Sequence, residues 1–208
     1  MGENKRPGLS RHMLIETALR LLDEVGLEGL TVRRLATELG VQSPALYWHI
    51  RTKQELLDGM ADEIVLAAGM GPPREGESWQ EWLMRRAHAY RGSLLAHRDG
   101  ARVVANAASL SPETVRLFNE ELDALVGRGF TPVLALRTIA ALTRYINGFV
   151  LQEQSERLDS GIAPERLGAT LLAALVEGGD PLGLEAFDHG LRALIDGTSV
   201  ALRGSDPS

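Results

Sequence analysis

The sequence predicts an all-α protein, and three observations support that prediction. Apolar residues recur at helical spacing through almost every segment, and no stretch alternates apolar and polar residues as a half-buried strand does. Ser-Pro or Thr-Pro occurs at 43–44, 111–112 and 131–132. Such a pair is typical of a helix start, because proline has no N–H to leave unsatisfied there. Gly26 and Gly40 stand where helical patterns stop, as helix-ending residues do.

A capping residue precedes each of the first four predicted helices. These caps are Ser10, Thr31, Ser43 and Thr52, the last in a capping box with Glu55. The first helix is predicted to end at Gly26. The second, VRRLATEL, is predicted to end at Gly40, and the third is about two turns long at roughly 3.6 residues per turn.

The rest of the chain is also predicted to be helical, after a break at Gly-Pro-Pro-Arg-Glu-Gly, residues 71–76. Ser78 and Glu81 cap the next helix, SWQEWLMRRAHAYRGSLLAH. Further helices are predicted at 112–127, 132–154, 165–177 and 184–202, with a polar loop from Ser155 to Pro164. We predict two domains, 1–55 and 56–208.

Composition excludes several classes of protein. The chain of 208 residues is 44% hydrophobic and 24% charged, which is ordinary for a folded globular protein. No apolar run is long enough for a membrane helix or a signal sequence, so we expect a cytoplasmic protein with no membrane partner. With no cysteine, disulfides and thiolate sites are excluded. No paired acid and base, activated nucleophile or helical histidine pair is visible, so we predict no enzyme, no metal site and no cofactor.

Charge is unevenly distributed along the chain. The net charge is −6, but residues 1–55 carry eight Lys/Arg and seven Asp/Glu, whereas residues 56–208 carry fourteen and twenty-one. A local cationic surface on an acidic protein can still bind phosphate, because salt screens each charge beyond about 8–10 Å. The acidic average therefore does not exclude a nucleic-acid partner.

Two short helices joined by a turn at Gly40 match a helix-turn-helix, whose second short helix enters the DNA major groove. Leu46 and Ile50 are four residues apart and can face inward, which leaves Tyr47 and His49 toward the outside. Trp48 fits either core packing or DNA contact. The stretch Tyr47-Trp48-His49 therefore predicts a surface of rigid rings for sugar, phosphate and thymine methyl groups.

The stretch GLTVRRLATELGVQSPALYWHIRTKQELLD resembles the DNA-binding domain of the TetR family, and LYWHIRTKQELLD is typical of its tetracycline-repressor branch. Similarity continues through EGESWQEWL, LLAHRDGARVV, GFTPVLAL and AFDHGLRALIDG. The resemblance implies an all-helical homodimer with an N-terminal three-helix DNA-binding domain. It also implies a C-terminal ligand-binding and dimerisation domain, in which a small organic effector loosens the grip on a double-stranded operator.

The resemblance implies roles for residues of the helix-turn-helix. Arg33 is the candidate for reading a guanine with two hydrogen bonds, worth about 1–3 kcal/mol of discrimination. The alternative is that Arg33 and Arg34 are a solvated charge pair. The other implied contacts are Gln42, Ser43, Pro44 and Ala45 toward bases, with Tyr47, His49 and Lys53 on the backbone. Trp48 is a further candidate contact, with core packing as the alternative.

Dimerisation, by the same resemblance, uses the helices predicted at 132–154 and 184–202. Apolar residues that fit a four-helix interface are Ile139, Leu142, Ile146, Phe149, Val150, Leu191, Leu194 and Ile195. The alternative is that they form the core within one chain.

The ligand site departs from the tetracycline repressors. Their metal-binding histidine is matched by Val104, their drug-binding asparagine and phenylalanine by Arg86 and Tyr90, and a glutamate by Gln152. LAAGMG stands where another histidine is expected. An oxygen-seeking cation needs such ligands, so the sequence predicts an organic effector without magnesium.

If the position of the pocket is kept, nine residues are predicted to line it: Trp82, Arg86, Tyr90, Val104, Phe118, Arg144, Asn147, Phe149 and Gln152. Arg86 would favour an anionic ligand, because burying its charge without a partner is costly. The alternative is that Arg86 pairs with an internal acid or points to solvent.

The leading functional hypothesis is a ligand-responsive regulator, most readily a repressor, on a two-fold symmetric operator. A second hypothesis is DNA binding that is constitutive or controlled by a protein partner. A third, an enzyme on a helical scaffold, has no catalytic set to support it.

Overall fold

The computed structural model describes residues 9–155, 168–178 and 180–204, and every regular element in these ranges is a helix. The helices are α1 Arg11–Gly29, α2 Val32–Glu38, α3 Ser43–Leu46, α4 Lys53–Ala67, α5 Trp79–Leu95, α6 Gly100–Ala105, α7 Pro112–Val126, α8 Pro132–Gln154, α9 Ala169–Gly178 and α10 Leu184–Arg203. The predicted all-α class is confirmed. We call α1–α3 the reader and α5–α10 the body, with α4 between them.

Side-chain caps start most of these helices. Ser10, Thr31, Thr52, Ser78, Ser111 and Thr131 each accept a hydrogen bond from the backbone N–H three residues later. Ser78 and Glu81 form the full capping box. Glu55 instead accepts from Arg51 N at 2.8 Å, so the box predicted with Thr52 is only half formed.

Four local predictions need correction. The first helix continues past Gly26, which is a kink with φ of 70°, to Gly29. Ser43 is the first residue of α3 and not its cap, because Gln42 holds the extended capping conformation. The third helix has four residues, about one turn, and the aromatic trio follows it in turns. Finally α6 was not predicted, because six residues are too short for a periodic pattern.

The predicted helix at 165–177 is observed as Ala169–Gly178, while 165–167 lie outside the described residues. Of the predicted loop from Ser155 to Pro164, only Ser155 is described, and it caps the end of α8.

The reader packs on α4 through a small apolar core. Its buried members include Leu14, Leu22, Leu35, Leu46, Ile50 and Leu56. Gly59 allows α1 and α4 to approach closely, because a methyl group there would lie 2.6 Å from Ile15 Cδ1. Since α4 also contacts α5, α6 and α7, it belongs to the reader and the body alike.

The body is built around α8, which contacts α5, α6, α7 and α10. Five residues assigned to the dimer interface are buried within this one chain: Leu142, Ile146, Val150, Leu191 and Ile195. For them the interface assignment is wrong and the intramolecular alternative holds. Ile139, Phe149 and Leu194 are partly buried on the same core. Within the described part of the chain, none of the helices combines the length and apolarity needed to cross a bilayer.

Candidate DNA interface and ligand cavity

The turn between α2 and α3 is a tight, hydrogen-bonded link. Gly40 adopts φ of 66°, and a Cβ there would meet no atom within 4 Å, so the backbone conformation is what requires glycine. Val41 N donates to Ala36 O at 3.0 Å, which fixes the entry to α3. Leu35 and Leu46 are buried between the two helices. This packing turns one side of the pair inward and leaves the other to solvent.

The outward side of the pair carries the residues predicted to contact DNA. Trp48 is 88% exposed and Tyr47 51% exposed, so the core-packing alternative for Trp48 is excluded. The remaining predicted contacts are exposed or partly exposed: Arg33, Gln42, Ser43, Pro44, Ala45, His49 and Lys53. All nine residues are accessible to solvent, and we call this set the groove face. Their contacts with DNA stay a prediction.

Two cationic side chains of the groove face have no partner among the described residues. Arg33 and Lys53 make no side-chain hydrogen bond or ion pair with any residue in the described ranges. In contrast, Arg20 pairs with Glu24 and Glu38, and Arg34 donates to Gly29 O at 3.3 Å. Arg33 and Arg34 thus differ, and the pair is not a single solvated unit.

A cavity of about 310 Å³ lies in the body between α4, α5, α6, α7 and α8. Its lining residues are Val65, Met70, Leu83, Arg86, Ala87, Tyr90, Val104, Leu110, Thr114, Phe118, Glu121, Ile139, Leu142, Thr143, Ile146 and Asn147. Mostly apolar walls with a few polar groups are usual for small-molecule sites.

Five of the nine predicted pocket residues line this cavity: Arg86, Tyr90, Val104, Phe118 and Asn147. Four do not. Trp82 is fully buried and donates from Nε1 to Gly71 O at 3.2 Å. Phe149 packs against Tyr145 and Phe187.

Arg144 and Gln152 are exposed on α8 and lie outside the cavity lining. Helix geometry explains the error, because residues three or four apart share a face. On α8, Ile139, Thr143 and Ile146 share the cavity face. Leu83, Arg86, Ala87 and Tyr90 follow the same spacing on α5, so that periodicity could have selected Leu83 and Ala87 instead of Trp82.

Glu121 was missed by the sequence reasoning and is the main acidic group of the cavity. Its side chain is 3% exposed, and Oε1 accepts from Arg86 Nε at 2.7 Å and from Gly71 N at 3.0 Å. The internal-acid alternative for Arg86 therefore holds, and the reason for expecting an anionic ligand no longer applies. No signal in the sequence joins residues that are 35 positions apart.

A second pair of polar residues in the cavity lining is also hydrogen-bonded. Tyr90 donates its hydroxyl to Asn147 Oδ1 at 2.9 Å. Burial raises the pKa of Tyr90 and outweighs the opposing effects of Asn147 and Arg86, so the hydroxyl stays protonated at neutral pH.

Divalent-cation ligands are scarce in this cavity. Its described lining contains no histidine and a single carboxylate, Glu121, which Arg86 already neutralises. No group of three or more histidine, aspartate or glutamate side chains that could hold a metal occurs in the described ranges. These residues do not fit the magnesium ion that the tetracycline-repressor resemblance implies.

Hydrogen bonds join the reader to the body beside this cavity. Asp99, in the turn before α6, accepts from Leu27 N at 2.8 Å, and Arg98 N donates to Asp23 Oδ1 at 2.9 Å. At the other end of α6, Gln54 Nε2 donates to Asn106 O at 2.8 Å. Because Val104 of α6 lines the cavity, one short helix borders the ligand space, and residues at its two ends are hydrogen-bonded to α1 of the reader and to α4.

α4 is also tied to the segment between α6 and α7. Asp58 accepts from Ala108 N at 2.8 Å and Ser109 Oγ at 2.7 Å. Partial burial opposes ionisation of Asp58, but hydrogen bonds from Ser109, Gln54 and the backbone outweigh it and lower its pKa. Asp62 is buried and accepts from Thr114 Oγ1 at 2.8 Å, on the cavity side.

Comparison with known families covers both parts of the chain. Residues 14–60 match the bacterial regulatory proteins of the tetR family, and residues 72–202 match the tetracyclin repressor-like C-terminal domain. The chain belongs to the TetR family. It is therefore a ligand-responsive, DNA-binding transcriptional regulator, as the resemblance predicted.

Individual TetR-family proteins are similar over nearly the whole chain. The tetracycline repressor protein class A from transposon 1721 of Escherichia coli is 38% identical over 199 residues, which cover 91% of this chain and 90% of the relative. A point variant of TetR from Acinetobacter baumannii AYE, in complex with minocycline, is 32% identical with a TM-score of 0.76, covering 93% of this chain and 98% of that one.

The BioQ structure with its double-stranded DNA operator is 27% identical with a TM-score of 0.67, covering 92% of this chain and 99% of that one. Solved TetR-family structures thus include complexes with a drug and with DNA. Both kinds of binding occur on the architecture described above.

Proposed function

We propose that this protein is a homodimeric repressor that binds a two-fold symmetric operator and is released from it by a small organic molecule. The main support for the proposal is the exposure of the groove-face residues. Trp48 is 88% exposed, and Arg33 and Lys53 of the same set have no partner among the described residues, so these side chains are available for a binding partner.

DNA is the partner that best matches the chemistry of the groove face. Arg33 would read a guanine edge, while Gln42, Ser43, Pro44 and Ala45 would face bases. Tyr47, Trp48, His49 and Lys53 would hold sugar and phosphate. If the reader binds DNA in this way, the protein acts in the cytoplasm, where bacterial DNA is accessible.

Release requires that the ligand bind one arrangement of the two readers better than the other. The cavity supports such coupling, because α4 and α6 both line it and both contact α1 or its end. A molecule that moves Val104 or Val65 would shift the hydrogen bonds of Asp99 and Asp58. The spacing of the two readers in a dimer would change with them.

A role in catalysis is not supported by these groups. Glu121, the cavity's acid, is held by Arg86 and Gly71, and Tyr90 donates to Asn147. No acid and base are left free to act on a substrate in the described lining, so we infer that the cavity binds its ligand without chemistry.

The experiment is a selection of double-stranded DNA fragments by the purified full chain, repeated with a panel of metabolites and antibiotics. We expect enrichment of a palindromic sequence and release by one or more compounds. A monomer without preference for any duplex at low ionic strength contradicts the proposal. Selective DNA binding that no compound changes would favour constitutive or partner-controlled binding instead.

A further inference from the structure

The cavity contains one positive and one negative side chain, and they cancel. Arg86 and Glu121 are 14% and 3% exposed, with Nε and Oε1 2.7 Å apart. The pair lies in a wall otherwise made mainly of aliphatic and aromatic groups. The described lining of the cavity is therefore formally neutral.

A charged ligand would be disfavoured in this space. An anion would meet the carboxylate of Glu121, and a cation would meet the guanidinium of Arg86. Each of the two charges is already compensated by the other, so the desolvation of a charged ligand would be offset only in part. A magnesium chelate would face the same charge balance without the histidine and carboxylate ligands that it needs.

Two lining residues nevertheless keep N–H groups without a hydrogen-bond partner among the described residues. The hydrogen bond of the Arg86 guanidinium goes to Glu121 through Nε, and neither Nη group has a partner among the described residues. Asn147 accepts from Tyr90 through Oδ1, and its Nδ2 is likewise without a partner there. These are donors, so they call for an acceptor on the ligand.

Several other lining residues are apolar. They include Val65, Met70, Leu110, Phe118, Ile139 and Ile146. A ring-shaped carbon skeleton can stack on the Phe118 side chain in such a lining. A cavity of about 310 Å³ is at the small end of drug-sized sites.

We propose that the effector is an uncharged organic molecule with an apolar ring body and one carbonyl or hydroxyl edge, bound without a divalent metal. The edge accepts hydrogen bonds from the free N–H groups of Arg86 and Asn147, while the Arg86–Glu121 pair stays intact. This inference rests on the proposed function, because it names the ligand of the same cavity.

The test compares matched probes on the full-length protein by calorimetry. 2-Naphthol is neutral at pH 7, 2-naphthoate is an anion of the same ring system, and tetracycline is measured with magnesium and with EDTA. We expect 2-naphthol to bind at least about tenfold more tightly than 2-naphthoate, a difference of about 1.4 kcal/mol. We expect EDTA to leave 2-naphthol binding unchanged.

Glu121→Gln tests whether the Arg86–Glu121 pair causes the preference for the neutral probe. It removes the negative charge and leaves Arg86 free, so the affinity for 2-naphthoate should rise at least about tenfold. Glu77→Gln is the matched control, because Glu77 pairs with Arg85 at 2.7 Å, outside the cavity lining. That control should leave both affinities unchanged.

A second variant guards against loss of folding in Glu121→Gln. Arg86→Gln with Glu121→Gln removes both charges and also the Arg86 donors. It should weaken 2-naphthol binding, since of the two donors only Asn147 is left, but 2-naphthol should stay the tighter ligand and 2-naphthoate should gain no affinity. The proposal is overturned if wild-type protein binds 2-naphthoate as tightly as 2-naphthol, if neither probe binds, or if tetracycline binds only with magnesium. DNA selection with the same preparations separates this failure from that of the proposed function, because operator binding without effector does not depend on the cavity charge.

Discussion

The groove face and the cavity use polar side chains in opposite ways. On the groove face, Arg33 and Lys53 have no described partner, and Trp48 is almost fully exposed. In the cavity, Arg86, Glu121 and Tyr90 are already bound to other side chains. A surface that binds a charged polymer keeps its charges free, whereas charges buried in a cavity wall must be paired within the fold before any ligand arrives.

This difference has a consequence for mutation. Replacing a free surface residue removes a contact with a partner and leaves the fold alone. Replacing one member of a buried pair leaves the other uncompensated, so stability falls before binding is even tested. Substitutions in the two regions should therefore differ in the property that they change.

The largest effect is expected for Arg86→Leu, which leaves the Glu121 carboxylate buried without its cation. We expect a loss of about 3 kcal/mol in the free energy of unfolding. Denaturant unfolding measures it. Arg86→Leu combined with Glu121→Leu should recover most of the loss, since no charge is then buried alone; a double variant as unstable as the single one would contradict this explanation.

Arg33→Ala should act on DNA binding and not on stability. The loss of one bidentate contact would cost about 1–3 kcal/mol per half-site and relax the sequence preference at one base position. Binding to single-base operator variants measures both effects. Arg34→Ala is the control on the same helix, because its guanidinium is engaged with Gly29 O. Equal weakening on every sequence would make Arg33 a phosphate contact.

Lys53→Ala is expected to weaken binding evenly across sequences. Each phosphate contact contributes roughly 0.9 to the slope of log K against log salt, so the slope should become shallower by about one per half-site. Affinity measured over a range of salt concentrations tests this. An unchanged slope would show that Lys53 does not neutralise a phosphate.

The smallest effect is expected at the joint between α4 and the α6–α7 segment. Hydrogen bonds lower the pKa of Asp58, so its stabilisation is present above the unfolded-state pKa, about 3.9, and is lost as pH falls through the folded-state pKa. Asp58→Asn should lower stability by about 1 kcal/mol or less at neutral pH.

The difference in stability between wild type and Asp58→Asn should shrink at pH values below the folded-state pKa of Asp58. The wild-type carboxyl is then protonated and, like the amide, uncharged. Thermal unfolding of both proteins across the acidic range measures the difference. A deficit that stays constant with pH would mean that the amide is poorly accommodated for reasons other than charge.

Sequence reasoning succeeded where interactions are short in range. Caps at Ser10, Thr31 and Ser78 act on residues three positions away, and helix periodicity placed Leu46 and Ile50 inside. The resemblance to the TetR family then assigned the two tasks of the protein. It was less reliable inside the body, where Trp82, Phe149 and Gln152 were placed in a pocket that they do not line.

By itself the sequence determined the helical class and most helix starts. These follow from backbone hydrogen bonds and side-chain spacing within a few residues. Only the tertiary structure decided that Arg86 meets Glu121, that Trp48 faces solvent and that the apolar residues of α8 and α10 close a core within one chain. Such contacts join distant segments, and their energies depend on which groups share a space and exclude water from it.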